Sequence, residues 1–131
     1  MLKREFTYKD FEGKEITETY YFNLTQAEVM ELELSAYGGI EAMVNRLLEE
    51  KNTEDIVKLF KKIILMSVGE KSFDNRRFIK NDEIRDNFYQ TEAYSQLFCE
   101  LVTDGDKAHA FLRSLVSGTA QPVAAPALAP A

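Results

Sequence analysis

The stretch T-E-D-I-V-K-L-F-K-K-I-I-L-M, residues 53–66, decides the fold. Ile56, Leu59, Phe60, Ile63 and Ile64 recur at helical spacing. Thr53 is a good N-cap, Glu54 and Asp55 occupy the first turn, and Lys58, Lys61 and Lys62 follow, the charge order a helix dipole favours. Val57, Leu65 and Met66 widen the stripe until the C-terminal end is apolar nearly all round. Such a helix is buried from several sides, so the rest of the chain is expected to supply its cover. The expected fold is mainly α with an N-terminal β-hairpin (α+β): a compact bundle of about five or six short helices packed around a central helix near 53–66.

Upstream, residues 3–22 read as the hairpin. Phe6 and Tyr8 alternate with polar neighbours, and Ile16, Tyr20 and Phe22 share one parity, interrupted by Glu18. Between them Gly13 supplies the positive φ of a turn. A lone hairpin is marginal in water, so it is expected to lie on the helices or to pair with another chain, with either strand offering an unpaired edge. Thr25 and Glu28 then form a T-x-x-E capping box, with Leu24 and Val29 placed as a hydrophobic staple. The helix near 25–36 is expected to turn Val29, Met30, Leu32 and Leu34 inward and Glu28, Glu31 and Glu33 to solvent. Gly38-Gly39 reads as a turn, because no strand precedes it and no Lys-Ser/Thr follows to make a phosphate loop. Ile40, Met43, Val44, Leu47 and Leu48 mark an amphipathic helix to about Lys51.

Downstream, Gly69 reads as a helix C-cap, and 67–80 is the longest irregular piece, with a turn at Asp74-Asn75. Phe73, Phe78 and Ile79 fit neither a helical nor a strand period; they pin this loop to the core or belong to an interface. Asn81 or Asp82 caps a short helix with Ile84 and Phe88 inward and Tyr89 beside them. Thr91 caps another, with a stripe of Tyr94, Leu97, Phe98, Leu101 and Val102. Asp104-Gly105-Asp106 breaks and recaps the chain, and a last helix near 106–117 carries Ala108, Phe111, Leu112, Leu115 and Val116 on one face until Gly118. Residues 119–131 are uncharged and hold all three prolines of the chain, which forbids a regular helix. The expected organisation is one globular domain over 1–118, then an Ala/Pro-rich flexible tail or linker that is also a candidate extended ligand for a partner groove.

The totals narrow the function. At 131 residues and 45% hydrophobic, one domain has material for a real core. A net charge of −6 argues against nucleic acid as the main partner, because phosphate neutralisation needs a Lys/Arg excess. The charge is uneven: residues 1–55 carry 13 acidic and 6 basic side chains, residues 56–90 carry 5 and 8, and the rest carry 4 and 2. Complementary ends of one chain favour a homo-oligomer; the plainer reading is a solvated surface. The single cysteine, Cys99, excludes an intrachain disulfide and fits a reducing compartment. The N-terminus has no apolar core of a signal peptide, and no apolar run approaches the ~20 residues of a membrane span.

Catalytic patterns are missing. His109 is the only histidine and stands ten residues from Cys99, which is not a ligand spacing. A Cys–His nucleophile pair would need an orienting partner and an oxyanion site that no motif suggests. The acidic residues read as solvated helix faces, and Asp104-Gly105-Asp106 lacks the remaining ligands of a calcium loop. The expectation is a non-enzyme with no cofactor and no metal.

Several stretches together carry a resemblance. They are E-F-T-Y-K-D-F-E-G at 5–13, Y-F-N-L-T-Q-A-E-V-M-E-L-E-L-S at 21–35, the glycine pair at 38–39, K-x-I-I-L at 61–65, G-E-K-S at 69–72, R-R-F-I-K at 76–80 and Q-T-E-A-Y-S-Q-L-F at 90–98. In order and spacing, over roughly 5–117, the chain resembles the tail assembly chaperones of long-tailed bacteriophages and prophages of Gram-positive bacteria. The resemblance implies a protein that acts in the host cytoplasm. It implies binding to the tape-measure protein, a very long helical protein that sets tail length, which is kept soluble while tail-tube subunits assemble around it. It implies no catalytic residues, and it leaves 119–131 as the end of a short form or the linker into a frameshifted long one. Surplus aromatic residues suit holding apolar helical segments, and the contact candidates are Phe73, Phe78, Tyr89 and Tyr94; the alternative for each is a place in the core. Two other readings stand beside this one: a structural virion component, such as a tail-tube or connector protein, and an adaptor that binds one folded partner one to one.

Overall fold

The computed structural model describes residues 1–36 and 38–116. Two antiparallel strands, β1 (Leu2–Lys9) and β2 (Glu15–Phe22), are followed by helices α1 (Gln26–Ser35), α2 (Ile40–Glu50) and α3 (Thr53–Ser67). A second pair of strands, β3 (Val68–Lys71) and β4 (Phe78–Ile79), precedes α4 (Asp82–Tyr89), α5 (Glu92–Thr103) and α6 (Gly105–Val116). The fold is α+β, as the patterning predicts, with six helices among the described residues.

The hairpin pairs from Leu2↔Phe22 to Lys9↔Glu15 and turns through Gly13 at φ +84°. Phe6 and Phe22 point into the core at 2% and 0% exposure. Glu18, the polar interruption of this face, is satisfied in place: the hydroxyls of Tyr8 and Tyr20 both donate to it. Burial, then the Glu18 carboxylate, push the Tyr20 phenol above its ordinary value. The hairpin is not left with two open edges. β2 pairs on its far side with β3 through Tyr21↔Gly69 and Phe22↔Val68, so the sheet order is β1-β2-β3-β4. β1 and β4 are the outer strands, and Gln96 of α5 donates to the Thr7 carbonyl on β1 at 3.0 Å.

Segment 67–80 is therefore not irregular. α3 runs through Ser67, the chain continues directly into β3, and β4 returns antiparallel with Glu70↔Ile79 and Lys71↔Phe78. Gly69 lies inside β3 and caps no helix. Its role is close approach: a Cβ there would stand 2.5 Å from Phe78 Cε2 and 2.6 Å from the Ile79 carbonyl oxygen. Strands of four and two residues are too short to display an alternation, and the Asp74-Asn75 turn, with Asn75 at φ +61°, is the only part the sequence marks.

The helix ends follow the capping logic with one shift. Thr25 Oγ1 accepts from the Glu28 N–H and Glu28 Oε1 accepts from the Thr25 N–H, the reciprocal box. For α3 the cap is Asn52 rather than Thr53: Asn52 Oδ1 accepts from the Asp55 N–H, and the Thr53 hydroxyl donates back to the Lys51 carbonyl. Asn81, Thr91 and Asp104 accept from the first-turn amides of α4, α5 and α6. On α1, Leu32 is buried but Leu34 is 72% exposed. Two residues advance a helix by about 200°, so the two leucines cannot share a face. Glu28 and Glu33 are half-buried rather than solvated: Glu28 binds Lys80, and Glu33 accepts from the Ile40 N–H.

α3 is the covered centre the spacing predicts. Its inner face is fully buried, with Ile63, Ile64 and Ser67 at 0% exposure, while Lys61 and Lys62 stay exposed on the outer face, and α2, α4 and α5 flank the helix. One hydrophobic cluster runs from Phe6 and Phe22 of the sheet to Ala108, Phe111 and Leu115 of α6. Phe88 of α4 is the hub, its ring centroid 6.3 Å from Phe6, 4.7 Å from Tyr20, 5.5 Å from Phe22 and 5.9 Å from Tyr94. The 119–131 tail, the Gly118 stop and the side chain of Val116 lie outside the described residues.

Candidate partner-binding surface

Two exposed aromatic features rise from this core. The first is a row of rings at the junction of α4 and α5. From the Phe88 hub, Tyr94 (9% exposed) passes outward to Tyr89 at 4.8 Å and lies stacked on Phe98 at 5.8 Å. Tyr89 is 43% exposed at the end of α4, and Lys61 of α3 places its Nζ 4.7 Å from that ring. One turn earlier on α3, Val57 is also exposed. Burial, with the neighbouring Tyr89 hydroxyl adding to it, pushes the Tyr94 phenol up to about 12. The row thus has a neutral, apolar inner end and an accessible outer end beside a cation, and Lys58 and Lys62 lie exposed on the same helix.

The second feature is the 72–77 turn between β3 and β4. Ser72 is 3% exposed, and its hydroxyl organises the turn. Its Oγ donates to Asp74 Oδ1 at 2.6 Å and accepts from the Arg76 and Arg77 N–H groups at 3.2 and 3.0 Å. The Ser72 N–H donates to the Arg77 carbonyl, and the Asn75 N–H to the Ser72 carbonyl. The Ser72 hydroxyl, then the Arg76 N–H, hold the Asp74 carboxyl below its ordinary value. On this closed turn Phe73 stands wholly in solvent. Phe78 is half-buried at the turn's base, over Gly69, with Lys80 Nζ 5.8 Å from its ring.

Of the four aromatic residues singled out in the sequence, Tyr89 and Tyr94 therefore stand together. Phe73 and Phe78 stand on the second hairpin, Tyr94 is largely core, and Phe73 touches none of it. Sequence reading overlooks Lys61 as a neighbour of Tyr89, because only the packing of α3 against α4 and α5 brings the two together.

The remaining polar features are structural. Lys80 Nζ binds both oxygens of Glu28, at 2.7 and 2.8 Å, and ties the end of the second hairpin to the start of α1. Burial raises the Glu28 pKa, but the Lys80 ammonium and the Thr25 amide outweigh it and hold the group below its ordinary 4.5. Arg4 of β1 pairs with Glu100 of α5 at 3.0 Å. His109 shares Nε2 with Asn45 Oδ1 at 2.9 Å and faces Glu41 at 3.6 Å with Nδ1, a clasp between α6 and α2. Cys99 is exposed on α5. A cleft of about 340 Å³ opens where β2 and β3 splay, lined by Thr19, Tyr20, Tyr21, Glu70, Ile84 and Asn87 among others. Among the described residues no group of three or more His, Cys, Asp or Glu side chains is placed to hold a metal ion. No described helix is long and apolar enough to cross a membrane.

No curated protein and no solved structure matches the chain. A family model described as phage tail assembly chaperone matches residues 1–123, nearly its whole length. The chain, an α+β protein with exposed aromatic side chains at the end of α4 and on the 72–77 turn, belongs to the phage tail assembly chaperone family.

Proposed function

We propose that this tail assembly chaperone binds the tape-measure protein and keeps it soluble in the host cytoplasm while the tail tube assembles around it, without catalysis. The observation that supports this most directly is the display of aromatic surface at Tyr89 and Phe73 by a member of this family. Exposed rings are suited to covering the apolar stripe of a helical client, the helix-in-groove mode of recognition. Phe78 and Tyr94 back these two contacts from the base of the turn and from the core. Several copies along an elongated client would add avidity to modest individual contacts. The reading places one domain over 1–118, followed by an Ala/Pro-rich linker or tail at 119–131. It includes the tail-tube protein as a further partner and self-association as a state of the free chaperone.

A structural place in the virion is the competing reading, and the outer edge of β1 is the feature that favours it. Both are tested by tagging the protein in phage-producing cells, identifying what it captures, and analysing purified virions from the same culture. The expected result is capture of the tape-measure protein and absence from virions. A fixed copy number in virions replaces the chaperone reading with the structural one.

A further inference from the structure

The two hairpin turns of the sheet each expose a phenylalanine completely. Phe11 is 100% exposed in the first turn, and Phe73 is 106% exposed in the second. Both turns are held by hydrogen bonds to their own backbone, since Asp10 Oδ1 accepts from the Glu12 and Lys14 amides at 2.9 Å. Their charge settings differ. Phe11 stands among Lys9, Asp10, Glu12, Lys14 and Glu15, a mixed set. Phe73 stands among Lys71, Asp74, Arg76 and Arg77, and the one anion, Asp74, is committed to the Ser72 hydroxyl and the Arg76 amide. Among the described residues the Arg76 and Arg77 guanidinium groups form no ion pair. A chain of net charge −6 thus presents, at one turn, a fully exposed phenylalanine flanked along the chain by Lys71, Arg76 and Arg77, with Lys71 Nζ 5.0 Å from the Tyr21 ring.

We propose that the 72–77 turn is a docking knob: Phe73 inserts between apolar side chains of an acidic amphipathic helix, whose carboxylates meet Lys71, Arg76 and Arg77. The assignment rests on the tape-measure reading, and the client helix is the segment of that protein whose charge complements the tip. Three physical points support it. Phenylalanine and arginine are both enriched at protein interfaces, and Phe73 would withdraw its whole exposed surface from water on insertion. Arginine recognises carboxylates through its planar fork. The turn is already closed, so little conformational freedom is lost on binding. The Ser72 hydroxyl receives only the backbone N–H groups of Arg76 and Arg77, so their side chains are free for a partner.

The same arrangement makes the test clean, because substitution of these side chains leaves the turn's own bonds intact. Tagged full-length protein is co-expressed with the tape-measure protein of the same phage, and the captured amount is measured over a series of salt concentrations. Phe73→Ser is expected to lower capture by about tenfold or more. Phe11→Ser, equally exposed, is expected to leave capture unchanged. The Arg76→Gln/Arg77→Gln pair is expected to weaken capture at low salt and flatten its salt dependence. A photo-crosslinking phenylalanine analogue at position 73 is expected to label an acidic, apolar-striped segment. Undiminished capture by Phe73→Ser, or a crosslink to a basic segment, overturns the knob and leaves the chaperone reading standing. If the wild-type protein captures no tape-measure protein, the chaperone reading itself fails.

Discussion

Glu28 shows how one side chain takes on two structural duties. As the third helical residue of α1 it completes the capping box, and the same carboxylate receives Lys80 from the far end of the second hairpin. The Lys80 side chain is 13% exposed and that of Glu28 26%, so the pair is partly shielded but still reached by water. Lys80→Met is expected to cost about 1 kcal/mol, after discounting for solvent screening, measured by urea denaturation. The pH dependence has a definite sign. Glu28 titrates below its ordinary 4.5 in the folded protein, so the unfolded chain binds the proton first as pH falls. The stabilisation is complete above about 4.5 and is lost as pH drops through the lower folded value. Acid titration of wild type and Lys80→Met should therefore converge in that window. The capping half of this arrangement is legible in the sequence, because Thr25 and Glu28 are neighbours along one turn. The Lys80 half is not, because 52 residues separate it from its partner.

The second hairpin is held by what one residue lacks. Gly69 makes room for the Phe78 ring and the Ile79 backbone, and β3 gains its two-residue contact with β2 at the same point. Gly69→Ala drives a Cβ into backbone as well as into a ring, so the strand itself must shift. The expected cost is about 1–3 kcal/mol, in the range of overpacked cores. The shift should also loosen the turn that carries Phe73, so amide hydrogen exchange is expected to rise at Arg76 and Arg77, whose N–H groups bind Ser72. Unchanged protection at those two amides would show that the turn is independent of the sheet. This element escapes sequence reading for a physical reason. Two-residue β4 has no period, and Gly69 after an apolar run carries the same signature as a helix C-cap.

For the molecule as a whole, Phe88 is the residue on which the layers meet. It is fully buried and in ring contact with both hairpin strands and with α5. Phe88→Ala is expected to cost about 3–5 kcal/mol, a large share of the about 5–15 kcal/mol that a domain has in total. The prediction is a loss of cooperative unfolding, or a large fall in the urea midpoint; a midpoint near that of wild type would mean that the sheet and helices are stable apart. The sequence by itself determined the α+β class, the hairpin with its Gly13 turn, the start of each described helix to within a residue or two, and α3 as the central helix. All of these depend on neighbours within a few positions: alternation, helical spacing and side chains that cap their own first turn. It also carried the family resemblance over most of the chain. Tertiary structure alone decided that β2 is interior to a four-stranded sheet, that Leu34 faces solvent, and that Tyr94 sinks into the core while Tyr89, five residues earlier, stays at the surface. It alone set Phe73 wholly in solvent. These outcomes depend on which elements pack against each other, and such contacts join residues far apart in the chain, where no local period reports them.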